Sequence, residues 1–158
     1  MPKENPHPIP LPARERDKNG EATDPAVYNF WVTEHIRFAD LDFLGHVNNV
    51  AFTVYAESAR AAFMHQTGFW VPGARRQNVI ARIELDYLRE LLYPGEVRVG
   101  LRVLKIGRSS FTLGLGLFNG EHCAATAVAV IVRTDNETRR STPLNDEERA
   151  RLQPYLAD

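Results

Sequence analysis

The chain has 158 residues, of which 44% are hydrophobic and 25% charged, so it can bury one sizeable core and is expected to form one folded unit. Its formal net charge is -1 and its basic residues form no long run, which argues against nucleic acid as a partner. The longest largely apolar run, Cys123 to Val132, is far shorter than the roughly 20 residues that cross a bilayer, so no membrane segment is predicted.

The first 25 residues are rich in proline and charge. Five of the ten prolines fall between positions 2 and 12, and a charged stretch follows from Arg14 to Asp24. This composition buries too little apolar surface to offset the entropy of ordering, so residues 1–25 are predicted to form a flexible arm and residues 26–158 a single domain. The arm lacks the apolar core of a secretory signal, and Cys123 has no second cysteine to pair with, so a cytoplasmic location is expected.

A strand and a long helix are predicted next. Apolar residues recur at a spacing of two from Phe30 to Phe38, interrupted at Glu34, which favours a strand with one buried face. Asn48 or Asn49 can then cap a helix that runs to about Gln66. Because that helix is apolar nearly all round, it is expected to be covered on most sides.

Four consecutive strands follow, joined by short turns. Alternating apolar residues mark them from about Val79 to Tyr87, Val97 to Val103, Phe111 to Leu117 and His122 to Arg133. Pro94-Gly95 suits a type II turn, and Asn119-Gly120 is a strong hairpin signal. This order predicts an α+β fold in which a curved antiparallel sheet of five or six strands is wrapped around one long central helix. A short capped helix is predicted from Asn145 to Leu152.

The polar stretch before the helix, residues 37–49 (RFADLDFLGHVNN), resembles the signature of hotdog-fold thioesterases, and the helix after it carries Tyr55, Glu57 and Arg60. It looks most like the 4-hydroxybenzoyl-CoA thioesterase-like acyl-CoA thioesterases, and its His-Val-Asn-Asn run also resembles plant acyl-ACP thioesterases. The resemblance spans about residues 30–133. It implies a hotdog fold and hydrolysis of an acyl-CoA or acyl-ACP thioester without a cofactor. It also implies active sites at the interfaces of a homodimer or homotetramer.

By this resemblance, Asp42 occupies the position of the catalytic carboxylate. It would attack the thioester carbonyl directly or activate a water molecule. N–H groups at the helix start, about Val47 to Asn49, would polarise the carbonyl oxygen, and the Asn49 N–H has that role in the hydroxybenzoyl-CoA enzymes. Gly45 and Asn48 are predicted to belong to the same substrate-binding turn.

Other polar residues near the loop have a structural alternative. His46 is a further catalytic candidate, although a histidine beside a cap suits bracing of the loop equally well; no metal-ligand spacing surrounds it, so no metal site is predicted. Tyr55 is a candidate substrate contact, with a place in the core as its alternative. Asp40 is expected to hydrogen-bond the loop backbone. Glu57 and Arg60, three residues apart on the helix, are expected to pair with each other.

The turn of residues 107–110 contains Arg108 and Ser109 and is the predicted site for coenzyme A phosphates, because related hotdog enzymes carry basic residues there. The equally supported alternative is that this turn is an ordinary hairpin exposed to solvent and binds no phosphate. Weaker candidates for the same role are Arg75, Arg76 and Lys105. Gly114-Leu-Gly116 lies inside an alternating strand, so it is not a dinucleotide-binding loop, and its glycines are expected to leave room for the helix or an acyl chain.

The chain departs from the plant enzymes at two positions. Leu44 stands where they have asparagine and Leu91 where they have cysteine, whereas Glu90 matches their nearby glutamate. These departures argue against a mechanism that needs those two residues, and they favour one that uses Asp42 and the N–H groups at the helix start. Two other functions stay open: a non-catalytic module that binds or senses acyl-CoA, and a hotdog hydratase or dehydratase, whose Asp and His are spaced differently from Asp42 and His46.

Overall fold

The computed structural model describes residues 21–157, so the prediction of a flexible arm at residues 1–20 lies outside the described residues. This part of the chain forms six strands and two helices. The strands are β1 (Phe30–His35), β2 (Arg76–Tyr87), β3 (Glu96–Ile106), β4 (Ser110–Asn119), β5 (His122–Asp135) and β6 (Arg140–Ser141). The helices are α1 (Asn49–Gln66) and α2 (Asp146–Leu152), and short 3-10 turns form at Pro25–Val27, Phe38–Asp40 and Gln153–Tyr155.

All six strands belong to one antiparallel sheet, in the order β1-β3-β4-β5-β2, with β6 paired to the end of β5. The predicted α+β order and the hairpin at Asn119-Gly120 are confirmed, and Gly120 has the left-handed φ of +59° that such a turn favours. The type II turn predicted at Pro94-Gly95 is wrong. That turn requires a positive φ at Gly95, which it does not have, and the Tyr93–Pro94 bond is cis.

One face of the sheet packs against α1 and forms the main core. Alternate residues of the three central strands are almost completely buried there: Val97, Val99, Leu101, Val103, Phe111, Leu113, Leu115, Leu117, Ala125, Ala127, Ala129 and Ile131. The helix contributes Phe52 and Phe63, and the Phe30 ring of β1 lies edge-on to Phe63 with 5.3 Å between ring centres. Ala56 and Ala59 are fully buried, so the helix backbone lies close to the sheet.

Helix α1 begins and ends where the sequence predicts. Asn48 is the N-cap, and its side-chain oxygen accepts a hydrogen bond from the Val50 N–H at 2.9 Å. The chain leaves the helix at Thr67, and Gly68 takes a left-handed φ of +71°. The expectation that the helix is covered on most sides is met only on the side that faces the sheet. On the opposite side, Val50 is 64% exposed and Val54 39%.

Strand β2 ends the sheet and is its most exposed long strand. It pairs with β5 on one side, and no strand of residues 21–157 pairs with its other edge. Its apolar residues Val79, Ile80, Ile83 and Tyr87 are each more than a third exposed. An apolar edge with unpaired backbone groups is a ready template for another strand, so proteins normally cover it.

The opposite face of the sheet carries the described end of the predicted arm. Glu21 pairs with Arg102 of β3 at 2.8 Å, and the Tyr28 side chain packs on Gly100 of β3 and Gly116 of β4. A Cβ atom on Gly116 would lie 2.8 Å from the Tyr28 ring, so a larger residue would displace it. The glycines of β4 were expected to make room for the helix or an acyl chain. This expectation is wrong for Gly116, because it makes room for Tyr28 on the other face.

Helix α2 is held to the sheet through the buried Glu148. Its carboxylate accepts hydrogen bonds from Arg76 of β2 at 2.8 and 2.7 Å and from Arg133 of β5 at 2.9 Å. It also accepts one from the backbone N–H of Asn145, the N-cap of the predicted short helix. Burial would raise the pKa of Glu148, but these hydrogen bonds outweigh it and hold the pKa at about 2. Arg76 is therefore engaged here rather than available to a phosphate.

Glu148→Gln is expected to lower the free energy of unfolding by about 3 kcal/mol, because two arginines lose their buried carboxylate. Since folding depresses the pKa of Glu148 from 4.5, its contribution is fully present above that pH and is lost as the pH falls towards about 2. Urea unfolding at neutral pH and again at about pH 3 measures the loss of stability and its dependence on pH. Glu147→Gln, at an exposed position on the same helix, is the matched control and should leave stability nearly unchanged. Equal losses in the two variants would contradict the role of Glu148.

Candidate active site

The loop between β1 and α1 is built around the buried carboxylate of Asp40. It accepts hydrogen bonds from the Arg37 backbone at 2.9 Å, the Arg37 guanidinium at 2.8 Å and the Tyr55 hydroxyl at 2.6 Å. The Asp40 carbonyl accepts another from the Asn48 N–H at 2.8 Å. Burial would raise the pKa of Asp40, but the hydrogen bonds from Arg37 and Tyr55 bring it below its ordinary value. Asp40 therefore has the structural role that the sequence predicts.

Tyr55 supports this loop rather than contacting a substrate. Its side chain is 2% exposed, and its hydroxyl donates to Asp40. Burial and this hydrogen bond raise the pKa of Tyr55 well above its ordinary value. The prediction of Tyr55 as a substrate contact is thus corrected in favour of its alternative, a place in the core.

Asp42 lies in a tight turn of the chain. Its backbone N–H donates to the His46 carbonyl at 2.8 Å, and its carbonyl accepts from the Gly45 N–H at 3.1 Å. Side-chain Oδ1 accepts from the N–H groups of Leu44 at 2.8 Å and His46 at 3.3 Å. Gly45 has a φ of +83°, so the turn needs glycine at this position. Within residues 21–157 no hydrogen bond reaches Oδ2, which leaves this oxygen of the half-buried carboxylate for a ligand.

The start of α1 offers one backbone donor rather than the predicted three. The Val47 N–H donates to the Leu91 carbonyl at 2.9 Å, and the Asn48 N–H donates to the Asp40 carbonyl at 2.8 Å. Val47 is also buried in the core, so its predicted contact with substrate is corrected. In the described part of the chain, the Asn49 N–H has no acceptor. It is the first N–H of the helix, where the positive end of the helix dipole lies.

The ring of His46 pairs with Glu90. Its Nε2 lies 3.1 Å from a carboxylate oxygen of Glu90, and both side chains are partly exposed. A carboxylate partner fixes the orientation of an imidazole ring. Glu90 therefore adjoins the candidate site, a position that the loop sequence alone does not reveal. The signal in the sequence was its match to the glutamate of the plant enzymes.

Exposed apolar side chains surround the Asp42 turn. Phe43 is 97% exposed and Leu44 65%, and the Phe38 ring lies edge-on to Tyr93 with 5.9 Å between ring centres. Phe38 was predicted to end the first strand, but it falls in the 3-10 turn beyond β1. A patch of this kind is typical of a surface that receives an apolar ligand or another protein surface.

The predicted phosphate site at Arg108 and Ser109 lies at the other end of the sheet. Strand β3 begins next to the loop that holds Asp42, where Ile36 hydrogen-bonds Gly95, and it runs for 11 residues towards the 107–110 turn. At about 3.3 Å per residue, roughly 33 Å separate the two ends. A single chain therefore does not bring Arg108 or Ser109 to Asp42.

Comparison with known proteins assigns the fold and this loop to a family. Residues 36–152 match the thioesterase-like superfamily, a span that includes the Asp42 turn, α1 and most of the sheet. The chain belongs to the thioesterase-like superfamily. This membership confirms the hotdog-fold thioesterase resemblance of residues 37–49.

Individual proteins are similar to this chain over most of their length. A thioesterase from Thermus thermophilus, whose crystal structure is complexed with coenzyme A and Zn, is 36% identical; the match covers 82% of this chain and 95% of that one, with a TM-score of 0.73. The YsmA protein of Bacillus subtilis is 30% identical over 128 residues, which are 79% of this chain and 86% of YsmA. The PA5185 protein of Pseudomonas aeruginosa strain PAO1 is 26% identical, with coverages of 85% and 96% and a TM-score of 0.78.

Two features are absent from the part of the chain that the structure describes. Neither helix of residues 21–157 is long and apolar enough to cross a membrane. The same residues contain no group of three or more His, Cys, Asp or Glu side chains that could hold a metal ion.

Tyr55→Phe is expected to lower the free energy of unfolding by about 2 kcal/mol, because the buried Asp40 carboxylate loses a donor. Folding depresses the pKa of Asp40, so this contribution is present at neutral pH and is lost on acidification. In urea unfolding, the free energy of unfolding of Tyr55→Phe should therefore differ less from that of wild type at about pH 3 than at neutral pH. Tyr87→Phe, which removes an exposed hydroxyl that donates to Asn49, is the matched control. An unchanged stability of Tyr55→Phe would refute the role of this hydrogen bond.

Proposed function

We propose that the chain is an acyl-CoA thioesterase, which converts an acyl-CoA and water into the free acid and coenzyme A. The observation that carries this proposal is that Oδ2 of Asp42 and the N–H of Asn49, in one turn and helix start, make no hydrogen bond within residues 21–157. Membership of the thioesterase-like superfamily and the coenzyme A in the Thermus relative support it. Within the superfamily, residues 37–49 favour the 4-hydroxybenzoyl-CoA thioesterase-like enzymes.

The two groups have complementary roles in thioester hydrolysis. The thioester oxygen would accept a hydrogen bond from the Asn49 N–H, where the helix dipole favours the negative charge that develops during attack. Asp42 would either attack the carbonyl carbon, to give an acyl-enzyme anhydride that water hydrolyses, or take a proton from the attacking water. In both routes the carbon–sulfur bond breaks, and the thiolate of coenzyme A leaves and takes up a proton.

We also propose that the active unit is a homodimer formed through β2. Antiparallel pairing of two β2 strands would satisfy the open edge and bury its exposed apolar residues. A second copy would also cover the open side of α1, which completes the wrapping predicted from its apolar sequence. Because a two-fold axis exchanges the ends of the sheet, the 107–110 turn of the second copy would lie at the same end of the dimer as Asp42. Arg108 and Ser109 of that copy are the proposed contacts of the coenzyme A phosphates.

Asp42→Asn tests the proposed activity in a thiol-release assay on a panel of aromatic, short and long acyl-CoAs. Asparagine keeps the side-chain oxygen that accepts from Leu44 and His46, so the turn should persist. It cannot act as nucleophile or base, so kcat is expected to fall by at least about 100-fold. Asp146→Asn on α2 is the matched control and should retain full turnover. Retained turnover in Asp42→Asn would refute the role of Asp42, and tight acyl-CoA binding by a wild type that releases no thiol would favour the non-catalytic module.

Glu90 is expected to position His46. Glu90→Gln preserves size but removes the charge that orients the ring, so kcat should fall by about tenfold while KM changes little. Adding His46→Ala to Glu90→Gln should cost less than it does in wild type, because the two residues act as one unit. The matched control is Glu96→Gln, which breaks a similar pair with His35 at 3.2 Å on the sheet. Equal kcat values for Glu90→Gln and Glu96→Gln would contradict the positioning role.

A further inference from the structure

In the part of the chain that the structure describes, Arg60 is a buried cation without a hydrogen-bond acceptor. It lies in the fourth turn of α1, is 8% exposed, and its Nη1 atom has no hydrogen-bond partner among residues 21–157. Burial lowers the pKa of Arg60, and only the nearby charge of Glu57 acts against this effect. Residues 21–157 contain no ion pair between Glu57 and Arg60 of the same helix. The prediction that these two residues pair with each other inside α1 is therefore wrong. A buried guanidinium left in this state is costly.

Arg60 belongs to the stripe of α1 that faces β2. The stripe follows the spacing i, i+3, i+7 and i+11 through Asn49, Phe52, Ala56 and Arg60. At its start, the Asn49 carbonyl accepts a hydrogen bond from the Tyr87 hydroxyl of β2, and the Phe52 and Tyr87 rings lie 5.3 Å apart. Arg60 therefore lies on the side of the helix towards the open edge of the sheet.

The middle of β2 is level with the middle of α1 along the helix axis. Tyr87 ends β2 next to the helix start, and near the other end Asn78 donates to the carbonyl of Phe69, just beyond the helix, at 2.8 Å. The centre of β2, at positions 81–82, is therefore level with helix positions 57–58. If two β2 strands pair about this centre, the two α1 helices run antiparallel past each other. Position 57 of one helix then lies opposite position 58 of the other, about 3 Å along the helix axis from position 60 and within reach of two long side chains.

We propose that Glu57 and Arg60 form a reciprocal ion pair across the two-fold axis of the dimer, Glu57 of each copy with Arg60 of the other. This inference rests on the dimer of the proposed function and names the contact that aligns it. Glu57 is exposed and carries the charge that Arg60 lacks, and a two-fold interface makes the contact twice. Because opposite charges meet in only one alignment, the pair also sets the register of the two β2 strands.

Two charge reversals, Glu57→Arg and Arg60→Glu, test the pair. Each alone places like charges against each other on both sides of the axis, so the dimer dissociation constant should rise by about 100-fold or more. An equal mixture of the two variants should recover a mixed dimer, because opposite charges then meet in both contacts. Within each variant helix, positions 57 and 60 still carry like charges, so a pair inside one helix would not be rescued by mixing. Sedimentation velocity measures the dimer, with Glu121→Arg in the exposed β4–β5 turn as the matched control.

Each outcome decides the proposal. A mixture that stays as dissociated as its components overturns the pair, as does a Glu57→Arg protein that dimerises like wild type. If Arg60→Glu fails to fold by circular dichroism, Arg60→Met replaces it in a double-mutant cycle with Glu57→Gln. Additive effects on the dissociation constant in that cycle would overturn the pair. A wild-type monomer overturns the dimer and the pair together, whereas a dimer that hydrolyses no acyl-CoA contradicts the proposed activity alone.

Discussion

The buried carboxylate of Asp40 determines where the helix begins and which groups the site can use. Hydrogen bonds from Arg37 and Tyr55 hold the carboxylate, and the backbone carbonyl of Asp40 accepts one from the Asn48 N–H. The Asn48 side chain also accepts a hydrogen bond from the Val50 N–H. Asn48 therefore joins the helix start both to the Asp40 loop and to the first turn of α1. Burying a carboxylate is unfavourable unless donors surround it, and here the donors come from the loop and from the second turn of the helix. One ionised group thus joins the loop to α1.

The candidate site consists of polar groups that make no hydrogen bond to the rest of residues 21–157. Most polar groups of the loop have a structural partner: Oδ1 of Asp42 closes its own turn, the Val47 N–H binds a carbonyl, and His46 pairs with Glu90. Oδ2 of Asp42 and the Asn49 N–H stand apart from this network among residues 21–157. An acidic oxygen and a helix-terminal donor kept apart from scaffold hydrogen bonds are preorganised for a polar ligand, since no internal bond has to break first.

Local patterns predicted most of the fold. The alternation in β3, β4 and β5, the cap at Asn48 and the turn at Asn119-Gly120 depend on neighbouring residues, so the sequence displays them directly. The failures depend on distant partners. Nothing near Val47 shows that its N–H binds Leu91, and nothing in β4 shows that Tyr28 packs on Gly116. Likewise, the apolar sequence of α1 predicts that the helix is buried, but it does not show whether the residues that bury it belong to the same chain.

The length of the sheet has a consequence for how such an enzyme would respond to dilution. Asp42 and the Arg108 turn lie beyond opposite ends of β3, and these ends are roughly 33 Å apart at the usual rise per residue. If both meet one substrate, each complete site draws its halves from different polypeptides. Turnover per molecule would then depend on total protein concentration, because separated subunits hold only half-sites. Hybrid assemblies would also complement one another: a copy defective in the carboxylate and a copy defective in the phosphate contact would together form one intact site and one doubly defective one.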